Sequence, residues 1–354
     1  MTDQINVTLA LPMDDALPAN LRALDDRLQV THLTREQQHA FRGGRPLWGG
    51  YGGGSQPEQP DPEAEGRLAP ILERTEVLLC NPVIPPDIIE RAPGLKWIQL
   101  SSAGIDRLAE TPLANSHVTL TTASGIHSGT ISEWVIGGMI ALAKGFPNAL
   151  RAQAQAAWQP YWPESLEGKT VGIIGAGHIG SQVGRVAKAM GMRVIGSRRS
   201  IEKRVAGANA GEPEIDELVP ATDLHYILAK SDFVVVATPL TPETRGLIGE
   251  AELAAMKSSA YLLNIARGAV IDEPAMIDAL KEHRIAGAAL DVFSQEPLPP
   301  ESELWGLDNV IMTPHISGGM PDYMERVVGL FAANLRRYLA GDPLANVFDP
   351  ARGY

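Results

Sequence analysis

Short apolar runs, each bounded by turn residues, alternate along the chain with longer helical patterns. The first part of the sequence has five such runs, at 5–11, 28–33, 75–80, 95–100 and 118–122. The second part has six, at 169–175, 192–197, 232–238, 260–266, 286–292 and 309–314. Continuous apolar strands that alternate with helices are typical of parallel sheets covered by helices on both faces. We therefore predict two α/β units, each built on a doubly wound parallel sheet.

Two longer segments have helical periodicity, and one segment has none. Residues 128–146 are apolar on nearly every side of the helix they predict, which is typical of a helix buried between domains. Residues 320–341 predict an amphipathic helix near the C-terminus. Residues 41–66 are dense in Gly, Pro and Gln, which predicts a loop or insertion and neither a helix nor a strand.

Charge and cysteine content narrow the classes of function. The 354 residues carry a formal net charge of −12, so nucleic acid and anionic membrane surfaces are poor partners. The single cysteine, Cys80, cannot form an internal disulfide, and in the absence of a Cys/His cluster we expect no metal site. The N-terminus lacks a basic segment followed by an apolar core, and no run reaches about 18 apolar residues. We therefore expect a cytoplasmic protein that does not bind membranes.

A glycine-rich turn joins the first strand of the second part to a helical segment. Its glycines are Gly175, Gly177 and Gly180, which have the G-x-G-x-x-G spacing of dinucleotide-binding turns. In such turns the first glycine permits the bend, the second lets the backbone approach a pyrophosphate, and the third lets helix and strand pack closely. Because the start of a helix attracts anions, we expect this backbone, including His178 and Ile179, to bind a dinucleotide cofactor.

The next strand ends without a carboxylate. Dinucleotide-binding units normally place Asp or Glu about twenty residues after the glycines, where it bonds the ribose 2′-hydroxyl of NAD. Here that position is Ser197, and Arg198 and Arg199 follow it in a predicted loop. A carboxylate would repel a 2′-phosphate, whereas guanidinium groups match its charge and geometry. We therefore predict NADP(H) as the cofactor, with NAD(H) as a weaker substitute; a solvated basic turn is the alternative interpretation.

Three chemically active side chains follow the later strands. They are Arg267, Glu296 and His315, each just after a predicted strand or in the loop that follows it. Because open α/β sheets bind ligands at the carboxyl ends of their strands, these side chains can meet in one crevice. Arg267 can hold a carboxylate and polarise a ketone oxygen, His315 can donate a proton, and Glu296 can favour the charged imidazole. The set fits the reduction of a 2-oxo acid.

Seven segments resemble the D-isomer-specific 2-hydroxyacid dehydrogenases. They occur in the family's order over residues 75–318 and are together highly specific, whereas the first 70 residues resemble the family only loosely. The segments are SSAGID (101–106), GTISEWV (129–135), LEGKTVGIIGAGHIG (166–180), ATPLTPETRGLI (237–248), LLNIARGAVIDE (262–273), ALDVFSQEPLP (289–299) and TPHISG (313–318).

The resemblance implies a fold, a reaction and an assembly. A Rossmann dinucleotide-binding domain, residues 125–315, would be inserted into a flavodoxin-like substrate domain formed by 1–124 and 316–354. The reaction would be NADP(H)-dependent reduction of a small 2-oxo acid to the D-2-hydroxy acid. The Ser-Arg-Arg feature is most like the NADPH-using glyoxylate/hydroxypyruvate reductases, so these two acids are the implied substrates. Members of the family are typically homodimers joined through the coenzyme domain.

The resemblance also implies roles for individual residues. Arg267, Glu296 and His315 would be the catalytic trio, and the first and last of them would also contact the substrate. The backbone amides of Ala103 and Gly104 would bind the substrate carboxylate. Further cofactor contacts would come from Thr238, Pro239, Ala266, Asp291, His315 and Gly318, of which Asp291 would orient the nicotinamide carboxamide. In a linker of this kind, Trp158 and Trp162 would reach the partner subunit or its site.

Other interpretations stay open on the same fold. A formate dehydrogenase carries Gln where this chain has Glu296, and a phosphite dehydrogenase is a further alternative. A 3-phosphoglycerate dehydrogenase usually prefers NAD, and the regulatory extension that many of them carry is missing here. An NAD(P)H-sensing corepressor would keep the cofactor site and even the trio. It would need a peptide-docking groove, which the sequence does not reveal.

Overall fold

Most strands are followed by a helix in the part of the chain that the computed structural model describes, which is residues 4–45, 59, 61–105, 108, 111–199 and 214–351. In the first part the elements are β1 (Ile5–Leu9), α1 (Ala16–Arg22), β2 (Leu28–His32), α2 (Arg35–Phe41), α3 (Pro62–Arg74), β3 (Val77–Cys80), α4 (Ile88–Arg91), β4 (Trp97–Leu100) and β5 (Thr119–Thr121). They continue with α5 (Ser128–Ala143), α6 (Phe146–Ala154), β6 (Thr170–Ile174), α7 (His178–Ala189), β7 (Arg193–Arg198), β8 (Glu217–Pro220), α8 (Leu224–Lys230), β9 (Phe233–Val236), α9 (Glu250–Ala255), β10 (Tyr261–Asn264), α10 (Glu273–Lys281), β11 (Gly287–Leu290), β12 (Val310–Met312) and α11 (Tyr323–Ala340).

These elements divide into two units. The first unit is Met1–Ile126 with Met320–Tyr354, and the second is His127–Gly319. Each contains one sheet in which every strand pairing is parallel. The predicted class, two parallel-sheet α/β units with the second inserted into the first, is therefore confirmed.

The first unit is built on a five-stranded sheet in the order β2-β1-β3-β4-β5. This is the order of flavodoxin-like sheets. All residues of β3 and β4 are buried because helices cover both faces. The C-terminal helix α11 packs on one face, where the rings of Phe331 and Trp97 lie 5.2 Å apart and both side chains are fully buried. Because burial of such a side chain contributes about 1.5–3 kcal/mol, α11 belongs to the core of this unit.

The second unit is built on a seven-stranded sheet in the order β12-β11-β10-β9-β6-β7-β8. The chain starts at β6, moves outward to β7 and β8, and then returns to β9 on the other side of β6. In doubly wound sheets, such a reversal creates a crevice at the carboxyl ends of the strands, where ligands bind. The loops that follow β6, β9, β10, β11 and β12 therefore open at one edge of the sheet.

Helix α5 covers one face of this second sheet. Val135 and Met139 are fully buried in the cluster that the helix shares with the sheet. At Gly138 a Cβ atom would lie 3.3 Å from both Ala289 and Leu263, so the helix packs closely over β10 and β11. The helix ends at Ala143, before the predicted 146, because the chain turns at Gly145 with a φ of +65° and begins α6.

Three local expectations are wrong. Residues 62–66, expected in a loop, begin α3, because the Asp61 carboxylate accepts a hydrogen bond from the Glu63 amide and Pro62 stands in the first turn. Strand β8, a four-residue edge strand that contains a proline, was not predicted from the sequence. Strand β7 continues through Arg198, which pairs with Pro220, so this arginine is not in a loop. The predicted loop at 46–58 lies outside the described residues.

The two junctions also differ from the predicted 124/125 and 315/316. They lie at 126/127 and 319/320. His127 and residues 316–319 stay with the second unit because the His127 Nδ1 atom lies 2.9 Å from the Gly318 carbonyl oxygen. The buried Asp291 carboxylate also accepts hydrogen bonds from the amides that follow His315, which holds this segment in the second unit.

The described residues contain neither a membrane-spanning helix nor a cluster of metal-binding side chains. Within these ranges, no helix is both long and apolar enough to cross a membrane. No group of three or more His, Cys, Asp or Glu side chains is arranged there to hold a metal ion. Cys80 is fully buried at the end of β3, and this burial raises the pKa of its thiol. It therefore packs as a small apolar side chain.

Candidate active site

The glycine turn lies between β6 and α7. Gly175 has a φ of +101°, and a Cβ atom there would come within 2.8 Å of the backbone of Ala237. A Cβ atom on Gly180 would come within 2.4 Å of the Gly175 carbonyl oxygen, so both positions require glycine. A Cβ atom on Gly177 would instead have no neighbour within 4 Å. The space in front of the first turn of α7 is therefore open, as pyrophosphate binding requires.

The end of β7 lies against this turn and is cationic. Ser197 is buried, and its Oγ atom accepts a hydrogen bond from the Gly175 amide at 3.4 Å. Arg198 donates through Nε to the carbonyl oxygen of Ala176 at 2.7 Å, which holds its guanidinium beside the turn. Arg199 is more exposed and lies 3.9 Å from the Glu243 carboxylate. The end of β7 thus carries Ser197 and Arg198 at the position where an NAD-binding unit carries its acidic residue.

Glu296 and His315 form a hydrogen-bonded pair. The His315 Nδ1 atom lies 2.8 Å from Oε2 of Glu296, and the other oxygen of this carboxylate accepts the Phe293 amide at 3.0 Å. With Nδ1 directed at the carboxylate, Nε2 is the ring nitrogen that can pass a proton to a substrate. About a fifth of each side chain is exposed, 21% for His315 and 20% for Glu296, so the pair is partly shielded from water.

The surroundings of Glu296 favour its charged form. Burial opposes ionisation, but the hydrogen bonds from His315 and from the Phe293 amide and the positive charge of Arg267 outweigh this effect. The pKa of Glu296 is therefore held below its ordinary value of 4.5. At neutral pH the carboxylate is charged and can stabilise an imidazolium at His315.

Arg267 lies on the turn that follows β10, which we call the arginine turn, and hydrogen bonds hold this turn in place. The buried Asn264 accepts a hydrogen bond from the Ala266 amide at 3.1 Å and donates one to the Arg267 carbonyl oxygen at 3.2 Å. The guanidinium donates to the Ala266 carbonyl oxygen at 2.7 Å. At Gly268 a Cβ atom would lie 1.9 Å from the Phe293 carbonyl carbon. The absence of a side chain at Gly268 therefore allows the arginine turn to pack against the loop of Glu296.

His315 lies in a loop of unusual geometry, residues 313–318, which we call the histidine loop. His315 has a φ of +54°, a conformation that costs a non-glycine residue about 1–3 kcal/mol. The fully buried Asp291 carboxylate accepts hydrogen bonds from the Thr313 hydroxyl at 2.5 Å and from the amides of Ile316 at 2.8 Å and Ser317 at 2.9 Å. These bonds hold the loop in its strained form.

The protein-family model described as D-isomer specific 2-hydroxyacid dehydrogenase, NAD binding domain, matches residues 136–317, just over half of the chain. The chain belongs to this dehydrogenase family. The resemblance in the sequence is therefore confirmed, and the matched residues contain the glycine turn, the cationic end of β7, Arg267, Glu296 and His315.

Two curated relatives of this chain carry the names of enzymes. A glyoxylate reductase from Thermofilum pendens is 35% identical over 79% of this chain and 83% of its own length. A D-3-phosphoglycerate dehydrogenase from Methanocaldococcus jannaschii is 36% identical over 74% of this chain. The match spans only 49% of the length of that second relative.

Solved structures of similar dehydrogenases contain the phosphorylated cofactor. A D-isomer specific 2-hydroxyacid dehydrogenase from Xanthobacter autotrophicus, in complex with NADPH and MES, is 29% identical with a TM-score of 0.77, and the match covers 100% of both chains. An NADPH-dependent glyoxylate/hydroxypyruvate reductase from Sinorhizobium meliloti, in complex with NADP and sulfate, is 25% identical with a TM-score of 0.77. That match covers 99% of this chain and 100% of the other.

The remaining predicted site residues are divided between the units. Thr238 and Pro239 follow β9 beside the glycine turn, since a Cβ atom on Gly175 would lie 2.8 Å from the Thr238 amide nitrogen. Ala103 and Gly104 follow β4 in the first unit, where the Ser102 hydroxyl donates to the Gly104 carbonyl oxygen at 2.8 Å. Their expected contact with the substrate stays a prediction.

The expected role of Asp291 in the cofactor site also stays a prediction. In the structure its carboxylate oxygens accept hydrogen bonds from the histidine loop. Three polar residues that build this part of the site were not predicted from the sequence. They are Asn264 under the arginine turn, Thr313 in the histidine loop and Trp134 on α5, which donates to the Thr313 hydroxyl at 2.9 Å. The available signal was a polar residue at the end of an apolar strand, which marks Asn264 and Thr313 but not Trp134.

Proposed function

We propose that this dehydrogenase is an NADP(H)-dependent reductase of a small 2-oxo acid that yields the D-2-hydroxy acid. The observation that carries the proposal is the Glu296–His315 pair, next to a positively charged Arg267, at the carboxyl ends of adjacent strands. Reduction of a ketone requires a proton donor, and a neighbouring carboxylate supports that donor. Oxidation of formate requires neither. The names of the relatives, glyoxylate reductase and glyoxylate/hydroxypyruvate reductase, support the substrate class.

In this mechanism the protein binds the acid and supplies the proton. The Arg267 guanidinium binds the substrate carboxylate and polarises the ketone oxygen. Bound NADPH supplies the hydride for the carbonyl carbon. His315 donates a proton through Nε2 to the oxygen, and Glu296 stabilises the imidazolium before the transfer. A positioned proton donor contributes about 10²–10⁴-fold to such a rate.

The residues present fit a phosphorylated dinucleotide. Gly175 and Gly180 shape the turn, and the open space at Gly177 leaves room for the pyrophosphate. Ser197 and Arg198 beside this turn, followed by Arg199, would bind the 2′-phosphate. Thr238, Pro239, Ala266, Asp291, His315 and Gly318 would line the rest of the cofactor site, and Ala103 and Gly104 would add amides for the substrate carboxylate.

We also propose a homodimer formed through the second unit. Helix α6 and the segment after it expose Phe146 by 49%, Leu150 by 65%, Trp158 by 96% and Trp162 by 98%. Several exposed aromatic and aliphatic side chains within one short segment are typical of a surface that another protein covers. Sedimentation of the wild-type protein beside a Trp158→Ser/Trp162→Ser variant tests this assignment, and a monomeric wild type would contradict it.

The first experiment follows the loss of NADPH absorbance with glyoxylate, hydroxypyruvate, phosphohydroxypyruvate, pyruvate and a bulkier aromatic 2-oxo acid, and repeats each assay with NADH. We expect turnover of at least one small acid and a preference for NADPH. The preference should shift toward NADH in a Ser197→Asp/Arg198→Gln/Arg199→Gln variant. Tight cofactor binding without turnover of any acid would contradict the enzyme proposal and favour a cofactor sensor. An unchanged preference in the variant would contradict the 2′-phosphate site.

A further inference from the structure

The histidine loop is held by a short chain of hydrogen bonds that begins on a different element. The indole Nε1 of Trp134, on α5, lies 2.9 Å from the Thr313 hydroxyl oxygen, and this hydroxyl lies 2.5 Å from Oδ1 of Asp291. We propose that Trp134 and Thr313 are positioning residues, which fix the His315 ring for proton transfer by completing the hydrogen bonds of the Asp291 carboxylate. This inference rests on the proposed function.

The chemistry of the three groups fixes the direction of this chain. An indole N–H only donates and a carboxylate only accepts, so the Thr313 hydroxyl must accept from Trp134 and donate its single hydrogen to Asp291. A valine at position 313 has the same shape but can do neither. Because Asp291 is fully buried, the loss of Thr313 leaves Oδ1 with one donor fewer, the Ile316 amide alone, at a position that water does not reach.

His315 is sensitive to such a loss because its backbone is strained. Its amide donates to the carbonyl oxygens of Asp291 at 2.9 Å and Thr313 at 3.0 Å, and its φ of +54° is one that side chains other than glycine rarely adopt. Such a conformation persists only where the surrounding bonds impose it. If Thr313 moves, the backbone of His315 can relax and carry the ring away from Glu296.

The far end of the loop is held from the same helix. His127, at the start of α5, lies with its Nδ1 atom 2.9 Å from the Gly318 carbonyl oxygen. Helix α5 therefore contacts the histidine loop at residues 313 and 318, on both sides of His315. Trp134 lies less than two turns along α5 from His127, and the helix itself packs tightly on β10 and β11. A rigid element thus sets the position of the loop.

The test compares Thr313→Val and Trp134→Phe with wild type. A displacement of about 1 Å at a reacting group can cost about 10²-fold in rate, so we expect kcat of Thr313→Val to fall by about 10- to 100-fold. The KM for the 2-oxo acid and the Kd of NADPH should change much less than kcat, because neither ligand contacts the side chains of Thr313 and Trp134 in the proposal. Thr313→Ser, which keeps the hydroxyl, should retain most of the activity.

A double variant and a control variant separate positioning from general loss of structure. Trp134→Phe should lower kcat less than Thr313→Val does, and the double variant should be no slower than Thr313→Val alone, because both changes break the same chain. Ser132→Ala is the matched control on α5, since its hydroxyl donates only within the helix, to the Gly129 carbonyl oxygen at 2.7 Å. It should leave kcat unchanged. Equal losses in the control, or an additive double variant, would overturn the inference.

A second measurement does not depend on turnover. The rate at which diethyl pyrocarbonate modifies His315, followed by peptide mass spectrometry, reports how firmly the ring is held by Glu296. We expect this rate to rise several-fold in Thr313→Val and to stay at the wild-type value in Thr313→Ser and Ser132→Ala. An unchanged rate in Thr313→Val would overturn the positioning role. A raised rate in a protein that reduces no 2-oxo acid would support positioning and contradict only the proposed reaction.

Discussion

Replacement of Glu296 by Gln tests the charge of the proposed catalytic pair. Glutamine keeps the size of the side chain, and its amide oxygen can still accept from Nδ1 of His315, but it carries no charge. A hydrogen bond to a charged group contributes about 1.5–3 kcal/mol and one between neutral groups about 0.5–1.5 kcal/mol. Because about a fifth of each partner is exposed, we take the difference as about 1–1.5 kcal/mol. This corresponds to a loss of about 5- to 12-fold in kcat.

The same substitution has a signed effect on stability as the pH falls. The pKa of Glu296 in the folded protein lies below its ordinary value of 4.5. A depressed carboxyl pKa stabilises the fold above the unfolded value and loses this contribution as the pH falls through the folded value. Wild type should therefore lose stability relative to Glu296→Gln as the pH falls below 4.5.

The assay measures kcat for the best 2-oxo acid and the thermal unfolding midpoint across an acidic to neutral pH series. The matched control is Glu252→Gln, which removes the carboxylate of another Glu–His pair of the second unit, where His225 Nε2 lies 3.1 Å from Glu252 Oε1. We expect kcat of this control to stay at the wild-type value. A Glu296→Gln enzyme with wild-type kcat, or an equal loss in both variants, would refute the role of the charged pair.

Four further substitutions test other parts of the site. His315→Ala should lower kcat by about 10²–10⁴-fold while the Kd of NADPH, measured by its fluorescence, stays within about threefold of wild type; normal turnover would contradict the proton-donor role. Arg267→Lys should raise the KM of the 2-oxo acid by at least about 10-fold, because lysine cannot form the two-pronged contact with a carboxylate, and an unchanged KM would contradict it. Gly180→Ala should lower the free energy of unfolding by about 1–3 kcal/mol, because its methyl group would meet the Gly175 carbonyl oxygen, whereas Gly177→Ala should weaken NADPH binding at unchanged stability. Equal unfolding midpoints for the two alanine variants would contradict the different roles of these glycines.

The sequence placed most elements of the fold because their patterns are local. Buried parallel strands such as β9 and β10 are unbroken apolar runs, and turn residues on either side bound them within a few positions. The glycine spacing at 175–180 belongs to a turn that a few consecutive residues build. Strand β8 had no such signal, because only one of its four residues is buried and it ends in proline.

The residues that carry the proposed chemistry could also be predicted from local sequence, but the residues that hold them in place could not. Arg267, Glu296 and His315 stand beside strand ends, so parallel pairing of β10, β11 and β12 was enough to bring their loops to one edge. Neither the geometry nor the family match tests the cytoplasmic location or the roles given to Ala103 and Gly104. They stay predictions.

The sequence by itself determined two parallel α/β units, a dinucleotide turn and the side chains for acid–base chemistry, because each is specified by short-range periodicity or spacing. Only the tertiary structure decided how His315 is held. Trp134 and Thr313 are 179 positions apart in the chain, and they meet because α5 packs across the sheet that carries the histidine loop. Hydrogen bonds between elements so distant in sequence depend on packing, and no local pattern encodes them.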